Sequence, residues 1–164
     1  MTAMQTKALA WLSLLAVVSL ASGCGFHLQG SGSLPEGMRK FYVITADQVT
    51  PFAVELRRAI ERSGGQLTNT SAEADTVVRI QRDRSGRRVL SVSARNTPQE
   101  FEIFYLVEYS VDRGGREVLE LQPLEMIRNL SFDETQLLAK DREEVIIREA
   151  MARDLAVLVL LITA

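Results

Sequence analysis

The sequence predicts an α+β fold, a two-layer sandwich in which two helices pack on one face of a mixed sheet of four to five strands. β-Branched and aromatic residues predict a short strand at residues 41–45. Alternation of apolar and polar residues predicts further strands at residues 76–82, 89–95, 100–112 and 117–128. Apolar residues at helical spacing predict helices that begin at Pro51 and Asp141. With this order of elements, both helices pack most economically on the same side of the sheet.

The first predicted helix has both a start signal and a stop signal. Thr50 can cap the free amides, Pro51 suits the first helical position, and Gly64-Gly65 ends the helix. Its apolar face is formed by residues at four-residue spacing: Phe52, Leu56 and Ile60. Glu55 is expected on the solvated face. The strands on either side of this helix are expected to pair in parallel through a right-handed crossover.

Turn signals separate the later strands. Residues 84–86, Arg-Ser-Gly, predict a turn, residues 96–98 a loop, and Gly114-Gly115 a hairpin. The returning strand, residues 89–95, is expected to direct Leu90, Val92 and Ala94 inward.

The strand predicted at residues 100–112 is apolar on both faces in its middle, and is therefore expected to be internal to the sheet. Phe104 and Leu106 are expected on the face away from the helices, where either a partner or folded loops would cover them. Pro123 in the last strand marks a bulge or a sheet edge.

The last helix is expected to follow a polar connection at residues 129–139. Residues 141–144, Asp-Arg-Glu-Glu, are typical of a capping box. The predicted buried stripe consists of Ile147, Met151, Leu155, Leu158 and Ile162. Residues 156–162 are apolar on every side, which indicates either a fully buried helix end or a surface that docks against a partner.

The single cysteine, Cys24, follows a segment typical of a bacterial lipoprotein signal. Lys7 precedes an uncharged run over residues 8–20, long enough for a secretion signal and too short to cross a bilayer as a helix. Small residues then lead to Cys24, with Ala21 at the position where the lipobox usually has Leu. We therefore expect cleavage before Cys24, and a diacylglycerol and an N-acyl chain on it. A secreted protein with one free thiol is the alternative.

These features predict three parts: a cleaved signal peptide (1–23), a lipidated amino terminus and tether (24–37), and a single α+β domain (38–164). The residue after the cysteine is Gly25 rather than Asp, a pattern that resembles the signal for the outer membrane, so we expect a lipid anchor on its periplasmic side. Nineteen Lys and Arg against 21 Asp and Glu do not suit a nucleic-acid-binding protein.

The residues also argue against an enzyme. His27, the only histidine, lies in the tether, which excludes a histidine-based catalytic triad and a metal site with several histidines. No glycine-rich phosphate loop stands between a strand and a helix. We expect neither a metal nor a cofactor beyond the acyl chains on Cys24.

Three segments resemble the corresponding segments of one known lipoprotein family. Residues 23–28, Gly-Cys-Gly-Phe-His-Leu, are similar to the family's mature start. Residues 137–144, Leu-Leu-Ala-Lys-Asp-Arg-Glu-Glu, are similar to the run that leads into its last helix. Arg95-Asn96 followed by Glu100-Phe101 is similar to a third segment. The family that these segments resemble is LptE, the lipopolysaccharide-assembly lipoproteins. One departure is the uncharged end of the last helix, where the family usually has basic residues.

The resemblance implies an outer-membrane lipoprotein that sits within the lumen of the β-barrel LptD and binds lipopolysaccharide. By motif, it implies that Arg95 and Lys140 bind the lipopolysaccharide. The chemistry is suitable, because Arg forms paired hydrogen bonds to phosphate and Lys supplies a point charge. Two ordinary surface charges are the alternative interpretation of this pair.

A membrane-tethered adaptor that binds a soluble periplasmic protein and no lipid is the alternative function. In that case an acidic partner would bind a basic patch around the hairpin predicted at residues 76–95. The patch would consist of Arg79, Arg82, Arg84, Arg87 and Arg88.

Overall fold

The computed structural model describes residues 34–35, 37–131 and 137–164, and of residues 137–139 only the backbone. The predicted signal segment and Cys24 lie outside the described residues. The elements are, in chain order, β1 (Lys40–Ile44), α1 (Pro51–Arg62), β2 (Gln66–Leu67), β3 (Thr76–Val92), β4 (Pro98–Arg113), β5 (Arg116–Ser131) and α2 (Leu137–Thr163).

The five strands form one sheet in the order β2-β1-β3-β4-β5. β1 is parallel to β2 and to β3, and the other neighbours are antiparallel. Buried residues of both helices share one apolar core with the inward residues of the sheet. The predicted α+β sandwich and the parallel pairing of β1 with β3 are therefore confirmed; the two-residue strand β2 was not predicted.

Helix α1 begins and ends where the sequence predicts. Thr50 Oγ1 accepts a hydrogen bond from Ala53 N at 3.2 Å, and the last helical residue is Arg62. The prediction for Glu55 is wrong, because this residue is only 8% exposed. Its carboxylate lies 2.9 Å from Arg58 Nη1 and 3.8 Å from Arg153 Nε of α2, so it joins the two helices.

The predicted turn at residues 84–86 is wrong. β3 runs without a turn to Val92, and these three residues pair with Leu106, Tyr105 and Phe104 of β4. Leu90 and Val92, expected inward, are 48% and 51% exposed. Both lie near the end of β3, where its register with β4 is irregular between Val89 and Val92.

Gly86 belongs to this strand because an aromatic ring covers it. It pairs with Phe104, and a Cβ added to Gly86 would lie 2.8 Å from Cζ of that ring. Glycine in a strand often marks such a close approach. The residue that suggested a turn instead makes room for Phe104 on the outer face of the sheet.

The second hairpin is confirmed at Gly114-Gly115, where both residues have positive φ values, 56° and 78°. β4 has neighbours on both sides and is internal to the sheet, as predicted. β5 is an edge strand, which accounts for Pro123, paired with Glu108.

Helix α2 begins at Leu137, one turn before the predicted start at Asp141, so the predicted capping box lies inside the helix. The predicted stripe is correct at Met151 and Leu155, and Ile147 packs partly buried against the core. It is wrong at Leu158 and Ile162, which are 37% and 52% exposed. The core instead contains Ala152, Ala156, Val159 and Leu160. Residues 129–131 of the predicted connection extend β5.

A β-bulge at Gln81 decides which side chains of β3 face the helices. Ile80 pairs with Tyr109 and Arg82 with Glu108, so Gln81 is the extra residue. Because successive strand residues point to opposite faces, one added residue reverses the alternation from this point onward. Asp83 therefore points toward the helices rather than away from them.

Asp83 fastens the start of α1 to the sheet. Its carboxylate accepts hydrogen bonds from the hydroxyls of Thr50 and Tyr105. The Tyr105 hydroxyl in turn accepts a hydrogen bond from Phe52 N at 3.1 Å. Two hydroxyls and two of the free amides at the helix start are thereby satisfied in a largely buried place, as the burial of polar groups requires.

We predict that Tyr105→Phe lowers the free energy of unfolding by about 1–2 kcal/mol, because Asp83 loses a donor and Phe52 N loses its acceptor. Tyr109→Phe is the matched control. Tyr109 is also 1% exposed, and its hydroxyl has no hydrogen-bond partner in the described part of the chain. Urea denaturation measures both variants; equal losses in the two would contradict the role given to the Tyr105 hydroxyl.

We also predict that the protein loses stability above about pH 10. Burial, and secondarily Asp83, raise the pKa of Tyr105, and burial raises the pKa of Tyr109, from the ordinary value of 10.0. The folded protein keeps these phenol protons while the unfolded chain releases them, so stability is retained below pH 10 and falls as the pH rises above it.

Urea denaturation midpoints against pH, together with tyrosinate absorbance, measure this effect. Tyr105→Phe should show a shallower alkaline decline, because one phenol fewer ionises on unfolding. Ionisation of Tyr105 and Tyr109 near pH 10 in the folded protein would contradict the prediction.

Candidate functional site

Arg95 lies at the tip of the hairpin that joins β3 to β4, in a loop at residues 93–97. Asn96 N donates to Ser93 O at 2.9 Å, and Asn96 has a φ of 60°. This is the three-residue hairpin loop in which a type I turn precedes a left-handed residue. Arg95 N and Thr97 N donate to Ser93 Oγ, both at 3.2 Å. The exposed Arg95 side chain forms no ion pair with the described residues, so its guanidinium is open to a ligand.

Lys140 is the fourth residue of α2. The sequence predicted that it would immediately precede the helix. Its Nζ lies 2.8 Å from Glu143 Oε2, and its side chain is 17% exposed. The first turn of α2 contains no acidic residue. The partial positive charge of the helix start and the charge of Lys140 therefore add at this place.

Arg95 and Lys140 lie at the same end of the sheet, here called the hairpin end after the hairpin that joins β3 to β4. β3 and β4 pair as far as Val92 and Pro98, and β5 ends at Ser131 opposite Glu100. α2 starts after β5 and runs back along the sheet. An early α2 residue, Glu144, binds Arg87 of β3, and Thr163 at the far end binds Arg113 of β4.

The two candidate residues are near the same end of the sheet but at different distances along the strand direction. Arg87, which binds Glu144, is five residues before the end of β3, a distance of about 17 Å along the strand. Lys140 is one helical turn before Glu144, about 6 Å along the helix. Arg95 therefore projects beyond Lys140, and a ligand that touches both must be large.

The five arginines of β3 do not form the basic patch of the adaptor hypothesis. Arg87 faces the helices and binds buried Glu144 at 2.9 Å. Three of the others are paired with acidic residues on β4: Arg79 with Asp112, Arg82 with Glu108 and Arg88 with Glu102. Of the five, only Arg84 has no acidic partner within the described part of the chain. An acidic protein would therefore meet a largely neutralised surface.

The outer face of the sheet carries an apolar patch, the Phe104 patch, formed by Phe104, Leu106 and Ile127. Phe104 pairs with Ile127 of β5, and Leu106 pairs with Arg84 of β3. The guanidinium carbons of Arg84 and Arg88 each lie 5.6 Å from the centre of the Phe104 ring. Ile127 remains 42% exposed. The sequence indicated the apolar residues of β4. It did not indicate that Arg84 and Arg88 lie beside Phe104, because the bulge at Gln81 determines which face they occupy.

Two more apolar surfaces lie on α2. Near its start, Asp141, Arg142, Val145 and Ile146 line an open hollow, and the two aliphatic residues are 53% and 64% exposed. Near its end, Val157 and Leu161 are 52% and 71% exposed. The helix end predicted to be either buried or docked is therefore buried on one side only.

Two other kinds of feature are absent from the described residues. Within residues 34–35, 37–131 and 137–164, no group of three or more His, Cys, Asp or Glu side chains is placed to hold a metal ion. Over the same residues, no helix is both long enough and apolar enough to cross a membrane. The predicted lipid attachment at Cys24 lies outside the described residues and stays a prediction.

Comparison with known proteins identifies the family. Residues 38–161 match the family model LptE, described as lipopolysaccharide-assembly. The LPS-assembly lipoprotein LptE of Pectobacterium atrosepticum is 23% identical over 140 residues, which cover 85% of this chain and 76% of that protein. These descriptions concern assembly rather than a catalysed reaction.

Solved structures share the fold. Lipoprotein B of Nitrosomonas europaea, an uncharacterized protein solved by solution NMR, superposes with a TM-score of 0.69 at 28% identity, covering 83% of this chain and 88% of that one. The crystal structure of rare lipoprotein B from Shewanella oneidensis gives 0.63 at 22% identity, covering 72% and 88%.

The family model spans 124 of the 164 residues and takes in the whole sheet, all of α1, and α2 except its last two residues. The resemblance found in the sequence is thus confirmed by an independent match over the folded domain. The chain belongs to the LptE family and is a cell-envelope lipoprotein of lipopolysaccharide assembly.

Proposed function

We propose that this chain is an outer-membrane lipoprotein, held on the periplasmic side by an acylated Cys24, that binds lipopolysaccharide at its hairpin end and inserts into the β-barrel LptD. One observation carries the proposal: Arg95 and Lys140 lie at the hairpin end, whereas the chain that leads from Cys24 reaches the domain at the other end. Lipid attachment and ligand binding are thereby separated along the sheet.

The opposite end, here called the tether end, is defined by Leu34. This residue lies with Ser63 at the end of α1 and Ala164 at the end of α2 around one cavity. The turn between β4 and β5 is at this end too, since Gly114 N donates to Asp75 O just before β3. β4 has 16 residues, so the two ends are separated by about 50 Å.

The hairpin end offers the groups that a phosphorylated glycolipid requires. The guanidinium of Arg95, which forms no ion pair with the described residues, can form two parallel hydrogen bonds to one phosphate. Lys140 is already bonded to Glu143, so a phosphate there would compete with a carboxylate for the ammonium group. Arg95 is therefore expected to contribute more than Lys140.

We predict that Arg95→Asp with Lys140→Asp weakens binding of lipopolysaccharide roughly tenfold or more, because a charge-assisted hydrogen bond contributes about 1.5–3 kcal/mol. Titration of the purified protein with lipopolysaccharide measures the change. Binding should also weaken at high salt and with dephosphorylated lipid A.

The matched control is Arg39→Asp with Arg116→Asp. Both residues are exposed and lie at the tether end, and the change of net charge is the same. This variant should bind normally, and circular dichroism should show that both variants fold. Equal weakening in the two variants, or none in the first, would refute the site.

The Phe104 patch supports a contact with a second protein, since Ile127 lies exposed beside an aromatic ring on the face away from the helices. A barrel that encloses the domain would cover this face. The largely neutralised arginines of β3, by contrast, give little support to an adaptor for an acidic protein.

We predict that the lipidated protein, extracted from outer membranes in mild detergent, is recovered with one large β-barrel at one to one. Ile127→Glu should reduce this recovery, because it places a charge in the Phe104 patch. Val49→Glu, at an exposed aliphatic residue outside the patch, should not. Recovery with soluble periplasmic proteins alone would favour the adaptor function instead.

A further inference from the structure

The last nine residues of α2 and the Ala164 that follows, residues 155–164, contain no charged side chain. On the inner side, Leu155, Ala156 and Val159 are fully buried in the core. On the outer side, Val157 and Leu161 are 52% and 71% exposed. A surface helix of a soluble domain usually has polar residues there, so this outer surface, here called the α2-end surface, is unexplained by packing within the domain.

The chain from Cys24 arrives beside this surface. Leu34 and Pro35 contact a cavity of about 230 Å³ whose other walls include Val157, Leu160 and Leu161. Leu34 is itself fixed, since its Cδ1 lies 3.1 Å from the position of a Cβ on Gly65. The α2-end surface therefore borders the place where the tether meets the domain.

The tether is short. Cys24 is ten residues before Leu34, a span of at most about 35 Å when fully extended. Acyl chains on Cys24 would keep the α2-end surface close to the bilayer.

Charged residues do not oppose contact between this surface and lipid. The last charged residues of the helix are Arg153 and Asp154. Arg153 lies 3.8 Å from Glu55 of α1, and Asp154 lies 3.6 Å from Arg128 of β5. Both are ion-paired to the domain, so the charged side chains of α2 nearest to this surface are neutralised.

We propose that the α2-end surface, centred on Val157 and Leu161, lies in the interface of the bilayer to which Cys24 is anchored. This inference rests on the acylation of Cys24 in the proposed function. The acyl chains supply affinity for the membrane, and the α2-end surface supplies a second contact that sets orientation. The contact lies at the tether end, so the hairpin end, about 50 Å away along β4, stays free to enter the barrel partner.

The test uses the full lipidated protein in vesicles of phosphatidylethanolamine and phosphatidylglycerol. Leu161→Cys carries an environment-sensitive fluorophore, and Ala94→Cys at the hairpin tip carries the same label as a reference. Lipids with a nitroxide on the acyl chain should quench the label at position 161 and not the label at position 94. Val157→Cys gives a second probe position on the same surface.

Two glutamate variants, each combined with the label at position 161, distinguish lipid contact at this surface from non-specific lipid contact along the helix. Val157→Glu should abolish the quenching while the protein stays on the vesicles through its acyl chains. Val145→Glu is matched in exposure, 53% against 52%, but lies near the other end of α2, and should leave quenching unchanged.

The results that overturn the inference are distinct from those that overturn the proposed function. If the acylated protein is on the vesicles and the labels at positions 161 and 157 are both unquenched, the inference alone is overturned. So does a label shielded from water yet not quenched by lipid, as contact with a second copy of the chain would produce. Mass spectrometry that finds Cys24 unacylated overturns the proposed anchor and the inference together.

Discussion

The position of Asp83 is the constraint on which the two-layer arrangement depends. Its carboxylate receives the hydroxyls of Thr50 and Tyr105, and through them it fixes the first turn of α1 on the sheet. Asp83 faces inward only because of the bulge at Gln81. The same bulge sends Arg87 to Glu144 of α2 and leaves Arg84 beside Phe104 on the outer face. One extra residue therefore sets the contacts of both helices with β3.

Most of the fold could be predicted from local sequence. Thr50-Pro51 starts a helix and Gly114-Gly115 makes a turn through backbone chemistry that few other structures satisfy. What failed depended on distant partners. Gly86 has the local properties of a turn residue, yet Phe104, distant in sequence, makes it a strand residue. The spacing of Glu55 is that of a solvent-exposed position. Its carboxylate is nevertheless buried, because Arg153 of the other helix pairs with it. Tertiary contacts of this kind override local preference.

The candidate site was predictable in composition but not in shape. Family resemblance indicated Arg95 and Lys140, while nothing in the spacing of residues indicated that both belong to one end of the domain. That placement follows from the length of β3 without a turn and from the return of α2 along the sheet. The partner Glu143 of Lys140 and the neutralisation of the β3 arginines also required the structure, because both depend on side-chain pairing.

The long hairpin also makes the domain a lever. β4 alone is about 50 Å long, so a tilt of about 10° at the tether end would move Arg95 by roughly 9 Å. Small rotations at the base thus become large displacements at the tip. The cross-strand pairs Arg82–Glu108 and Arg88–Glu102, with Phe104 laid over Gly86 between them, resist bending along this length. Stiffness of the ribbon, as much as the chemistry of its tip, would determine how accurately the protein presents Arg95.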